Sequence, residues 1–115
     1  MPRPWLDRVR DILEAIECIE NYLEDVSQAA FEGDPKTRDA TLYNLLIIGE
    51  AASYIPEEVI SKYPGIPWID IREMRNPIAH SYFAVKVLIV WKTVTEDLAP
   101  LKAALRDVLE SEPED

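Results

Sequence analysis

The chain has 115 residues, 48% of them hydrophobic, and carries 22 acidic against 12 basic side chains for a formal net charge of −10. That length and composition suit one globular domain over residues 1–115 rather than a disordered chain. The charge counts against non-specific nucleic-acid binding, because such a protein repels a polyanion at long range.

The single cysteine, Cys18, excludes an intramolecular disulfide and a cysteine-cluster metal site. Arg3, Asp7, Arg8, Arg10, Asp11, Glu14 and Glu17 interrupt the apolar residues near the N-terminus, which is unlike a signal peptide. No uncharged apolar run approaches the roughly 20 residues that span a bilayer. The expectation is a soluble cytoplasmic protein with no membrane association.

Only three glycines and a helical spacing of apolar residues predict an all-α fold. Trp5, Val9, Ile12, Leu13, Ile16, Ile19, Leu23, Val26 and Ala30 recur at three- and four-residue steps. They predict one long helix from Trp5 to Phe31, stopped by Gly33 as a left-handed C-terminal residue. Asp34-Pro35 restarts the chain, as an N-cap followed by proline at the first helical position.

The next helix carries Leu42, Tyr43, Leu45 to Ile48, Ala51, Ala52 and Ile55. It is apolar all round from Leu45 to Ile48 and is predicted to be the central, most buried element. Gly49, Ala51 and Ala52 would let another helix approach closely. Residues 56–63 read as a short helix, and Pro64-Gly65-Ile66-Pro67 as a loop. Pro67 starts a helix through Trp68, Ile71 and Met74.

The last helix carries Val87, Val90, Trp91, Val94, Leu98, Leu101, Leu105 and Val108, with a kink expected at Pro100, which cannot donate to the Glu96 carbonyl. Residues 110–115 read as a frayed acidic tail. The whole predicts a four- to five-helix up-and-down bundle. The seams of its first and last helices suit either internal packing or a homodimer.

The densest chemistry lies in Arg75-Asn76-Pro77-Ile78-Ala79-His80-Ser81-Tyr82-Phe83, which holds the only histidine. Pro77 cannot donate to the Glu73 carbonyl, so a break is expected between Arg75 and Ile78. Residues five apart on a straight helix point roughly 140° away from each other. Arg75 and His80 would converge through such a break, or through a second subunit.

Imidazole near pH 7 can take a proton from a hydroxyl and return one to a leaving oxygen. Guanidinium offers a donor fork to a phosphoryl group, and Asn76 could hold a phosphate oxygen or orient His80. Attack of a ribose 2′-hydroxyl on the adjacent phosphate needs these parts and no metal. The same Arg and His also suit a helix C-terminus as plain dipole partners. Glu57-Glu58 and Asp70/Glu73 read as a solvated face rather than metal ligands. Trp5, Trp68 and Trp91 read as core, and Cys18 as a buried or half-buried helix residue rather than a nucleophile.

Arg75-x4-His80-x-Tyr82 resembles the R-x4-H-x-Y signature of the HEPN superfamily, and specifically of HepT-like toxins. The flanks agree: Ile71 to Asn76, Tyr82-Phe83, Ile89-Val90-Trp91, Pro67-Trp68, and Asn44 to Ala51, which resembles the family's second helix. The resemblance implies a homodimeric HEPN-like helical bundle whose paired motifs border an interface cleft. It implies a metal-independent endoribonuclease toxin of a toxin–antitoxin pair, needing no cofactor and acting on RNA. Its partner would be an MntA-like nucleotidyltransferase antitoxin. Arg75 and His80 become the catalytic pair, Asn76 the supporting residue and Tyr82 the adenylylation acceptor. The other reading within this resemblance is a non-catalytic subunit that binds such a nucleotidyltransferase.

Overall fold

Pro4 at the first helical position opens α1 (Pro4–Leu23), whose ring nitrogen has no N–H to leave unsatisfied. The computed structural model describes residues 3–80 and 86–112, without the side chains of residues 79 and 80. Helix α1 buries Leu6, Val9, Ile12, Leu13, Ala15, Ile16 and Ile19 along one stripe and leaves Cys18 half-buried. Its other face pairs Arg10 with Asp7 at 3.1 Å and Arg8 with Asp11 at 3.6 Å.

The first helix stops earlier than expected. Asp25 takes a left-handed backbone with φ 59°, which a short polar side chain tolerates. The Ser27 hydroxyl then caps α2 (Gln28–Glu32), accepting from the Ala30 amide at 3.1 Å. The apolar register survives the break, since Phe31 is still fully buried and stacks obliquely on Trp91 at 5.3 Å between ring centroids. Gly33 caps the end of α2 with φ −90°, so the helical stretch stops where expected, though the left-handed residue is Asp25 and not the glycine.

Asp34 and Pro35 begin α3 (Pro35–Ala52) as predicted, with the Asp34 carboxylate accepting from the Thr37 amide and hydroxyl. Those bonds to Thr37 hold its carboxyl below its ordinary range. Helix α3 packs against α1 and α2, and against two elements that follow it, α5 (Trp68–Glu73) and α6 (Arg75–His80). Leu45 and Ile48 are buried at its centre, while Leu46 and Ile47 are only half-covered and Tyr43 is exposed.

Between α3 and α5 comes α4 (Glu57–Lys62), followed by the expected loop at Pro64 and Gly65. Trp68 is buried at the head of α5, its indole N–H donating to the Tyr63 carbonyl at 3.1 Å. Glu57, Glu58, Asp70 and Glu73 are all exposed.

The last long helix carries an irregular turn just ahead of Pro100. Helix α7 (Val87–Lys92) runs into a π-helical turn at Thr93–Asp97 before α8 (Leu98–Ser111). Pro100 follows that turn within the continuous helix, where its missing N–H removes the α-helical bond to the Glu96 carbonyl. The wide turn absorbs the change of register. Thr93 and Thr95 donate their hydroxyls to the Ile89 and Trp91 carbonyls at 2.9 and 2.7 Å, which further loosens that stretch.

Leu105 and Val108 of α8 close the core formed by α1 and α3. Among the described residues every regular element is helical, and no helix is long and apolar enough to cross a membrane.

The acidic tail expected to fray is tied down as far as Glu112. Its carboxylate is 7% exposed and accepts from Arg3 Nη1 at 2.9 Å, from Lys62 Nζ at 2.6 Å and from the Tyr63 hydroxyl. The bond from Lys62, then that from Tyr63, hold the Glu112 carboxyl below its ordinary 4.5. The same bond raises Lys62, and burial raises the Tyr63 phenol.

A depressed carboxylate contributes stability above its unfolded value and loses it as pH falls through the folded one. Glu112→Gln should therefore lower the thermal midpoint at neutral pH, with the gap to the native protein closing below pH 4.5. Thermal unfolding followed by circular dichroism across that range checks it. A gap that persists unchanged into acid would contradict a charge-based tie.

Candidate active site

The site begins with a glycine. A Cβ built on Gly49 would lie 2.8 Å from the Arg75 Cβ, 3.1 Å from the Arg75 amide nitrogen and 3.3 Å from the Ile71 carbonyl oxygen. Glycine here lets the start of α6 lie directly on the α3 backbone, the close approach expected from the sequence. Ile71 and Ile78 are buried on either side and anchor α5 and α6 to the core.

The chain breaks at Met74, between α5 and α6, where the Met74 amide donates the closing bond to the Asp70 carbonyl at 3.1 Å. Pro77 explains the break, because it cannot donate to the Glu73 carbonyl. The break was expected between Arg75 and Ile78 and falls instead just before Arg75. Arg75 and His80 therefore lie on one uninterrupted segment, Arg75–His80. Their Cα positions are roughly 140° apart about the helix axis, so the break does not bring the two positions together.

Arg75 reaches back to α3 and pairs with Glu50, Nη1 to Oε2, at 2.5 Å. Its side chain is 35% exposed and that of Glu50 is 54% exposed, so the pair sits at the surface. Asn76 is exposed and donates its amide N–H to Glu73 Oε2 at 2.9 Å. The structure thus brings Arg75 to α3 and turns Asn76 toward α5. His80 closes α6; Tyr82 and Phe83 lie outside the described residues.

Glu50 was not singled out from the sequence, although a signal was present. It is the only charged residue between Leu42 and Ile55, and it follows the one glycine of its helix. A cleft of about 550 Å³ is lined by Ile48, Ile66, Ile71, Met74, Leu98 and Leu101 among others. Neither Arg75 nor Asn76 lines it.

A bundle that is helical throughout its described residues, with α6 running from the Arg75 to the His80 of the sequence Arg75-x4-His80-x-Tyr82, is a HEPN-type domain. The chain belongs to the HepT-like ribonuclease family, whose sequence model matches residues 12–108 and so includes the whole motif. It is 42% identical over 102 residues to the probable ribonuclease HepT of Thermococcus cleftensis, covering 89% of this chain and 93% of that protein. A protein of Caldanaerobacter subterraneus subsp. tengcongensis named as a candidate RNase is 32% identical over 111 residues, covering 96% of each chain. Another so named, from Methanocaldococcus jannaschii, is 33% identical over 102 residues, covering 85% of this chain and 84% of that one. No solved structure gives a significant match.

Proposed function

We propose that this chain is a metal-independent endoribonuclease, the toxin of a toxin–antitoxin pair. The observation that supports it most is the family match over residues 12–108, with the motif intact inside it. His80 takes the proton of a ribose 2′-hydroxyl as its oxygen bonds to the adjacent phosphorus. The bond from phosphorus to the 5′-oxygen breaks, that oxygen is protonated, and a 2′,3′-cyclic phosphate remains. Arg75 stabilises the charge that builds on the phosphoryl oxygens, and Asn76 supports the phosphate.

Arg75 and His80 lie five apart on one helical segment, so a homodimer that faces the two motifs across a cleft supplies the convergence one chain does not. Two chains also supply two imidazoles, one for each proton transfer. Tyr82, two positions from His80, is the acceptor for adenylyl groups from an MntA-like nucleotidyltransferase. The bulky anion formed there opposes an incoming phosphate.

Protein made without any nucleotidyltransferase should fragment tRNA or mRNA, and the same preparation adenylylated on Tyr82 should not. Intact-mass measurement assigns the two forms, and Tyr82→Phe should stay unmodified and active. Equal cleavage before and after modification would overturn this regulation. The net charge of −10 favours a second reading, a non-catalytic subunit that binds the nucleotidyltransferase. A stable complex together with no RNA turnover by the unmodified protein would select it.

A further inference from the structure

Glu50 is a carboxylate on the C-terminal half of α3, without a charged neighbour between Leu42 and Ile55 to account for it. Its partner, Arg75, comes from another helix 25 residues away. We propose that Glu50 is the positioning residue for Arg75, holding its guanidinium by one nitrogen so that the rest of the donor fork is presented to the substrate phosphate. The proposal rests on the ribonuclease reading above.

Three observations lead to it. The contact of Gly49 with the Cβ and amide of Arg75 fixes where the Arg75 side chain leaves its backbone, and puts Glu50 one residue from that contact. The pair runs between one nitrogen, Nη1, and one oxygen, Oε2, rather than fork to fork. A guanidinium carries five N–H donors, so a single bond from Nη1 ties down one nitrogen and leaves the rest of the fork unoccupied.

Exposure supplies the third. With Arg75 35% and Glu50 54% exposed, water and salt screen the pair, and surface ion pairs of this kind add little to stability. What the pair does provide is direction. A free arginine side chain has large rotamer freedom, and a misplacement of about 1 Å at a reacting centre can cost on the order of 100-fold in rate.

A carboxylate beside the substrate also repels RNA, so removing it changes two things at once. Comparing Glu50→Ala with Glu50→Gln separates them. Both lose the charge, but the glutamine amide oxygen still accepts from Nη1.

Positioning predicts that Glu50→Ala lowers kcat by roughly 10- to 100-fold with little change in KM. Glu50→Gln should recover to within about fivefold of the native rate, because the guanidinium remains oriented. In parallel, the nitrogen-15 heteronuclear NOE of the Arg75 Nε–H, assigned with Arg75→Lys, should report an ordered guanidinium in the native and Gln proteins and a mobile one in the Ala protein.

Equal rates for native and Ala proteins, or equal losses in Ala and Gln, would overturn the proposal while leaving the ribonuclease reading in place. An Arg75 Nε–H that stays ordered in Glu50→Ala would overturn it independently of any cleavage assay. Absence of cleavage by all of these proteins would overturn both readings together.

Discussion

Replacing Arg75 or His80 with alanine should cost at least about 100-fold in RNA cleavage while moving the thermal midpoint by no more than about 5 °C. The contrast between the two numbers carries the prediction. Arg75 loses one surface ion pair, with Glu50, worth no more than about 1 kcal/mol at such exposure. If Arg75 were only a dipole partner or a polar cap, that small loss would be the whole effect.

A guanidinium that stabilises charge at the phosphoryl group instead costs roughly 100- to 1,000-fold when removed, and a general acid–base imidazole roughly 100- to 10,000-fold. Since His80 is the only histidine in the chain, no other imidazole can substitute for it. Initial rates on a defined RNA, with circular dichroism melts of the same samples, decide between these accounts. A loss of stability with cleavage unchanged would assign the stretch to structure alone.

Gly49→Ala should destabilise the protein, although glycine to alanine inside a helix ordinarily stabilises by about 1 kcal/mol. The added methyl would meet the Arg75 Cβ at 2.8 Å and the Arg75 amide at 3.1 Å. One neighbour is the first carbon of a side chain and the other is backbone, so neither can swing aside without moving α6. Overpacking of this kind costs about 1–3 kcal/mol, which lowers the midpoint by roughly 5–15 °C in a domain of this size.

The same displacement moves Arg75 away from its place over α3. Cleavage should therefore fall in Gly49→Ala even at temperatures where the protein is fully folded. Thermal melts and single-temperature rates measure the two effects separately. A midpoint at or above the native value would show that α6 does not rest on this glycine.

What the sequence made legible was mostly local. Asp34-Pro35, Pro56 and Pro64-Gly65 punctuate the backbone through their own dihedral and capping preferences, and the boundaries they mark are found. The closeness of Gly49 to another helix was readable because only a missing side chain permits it. The break at Asp25 and Ser27 was hidden by the apolar stripe, which continues in register through Val26 to the buried Phe31. Periodicity reports which face is covered, not whether the helix that carries it is continuous.

Pro100 announced a disturbance, but no local pattern placed the π turn at Thr93–Asp97, just ahead of the buried Leu98. The tie at Glu112 joins residues 109, 50 and 49 positions apart, a distance no local pattern reaches. The same holds for Glu50 and Arg75. Each was visible as a charged residue, but only the packing of α6 on α3 makes them partners.

The most direct measurement is RNA cleavage by the unmodified, mass-verified protein in excess EDTA, with the chemistry of the new ends determined. Fragments that carry 2′,3′-cyclic phosphate, formed without added metal and absent with His80→Ala, are the predicted result. Cleavage that requires a divalent ion, or that survives His80→Ala, would contradict the account.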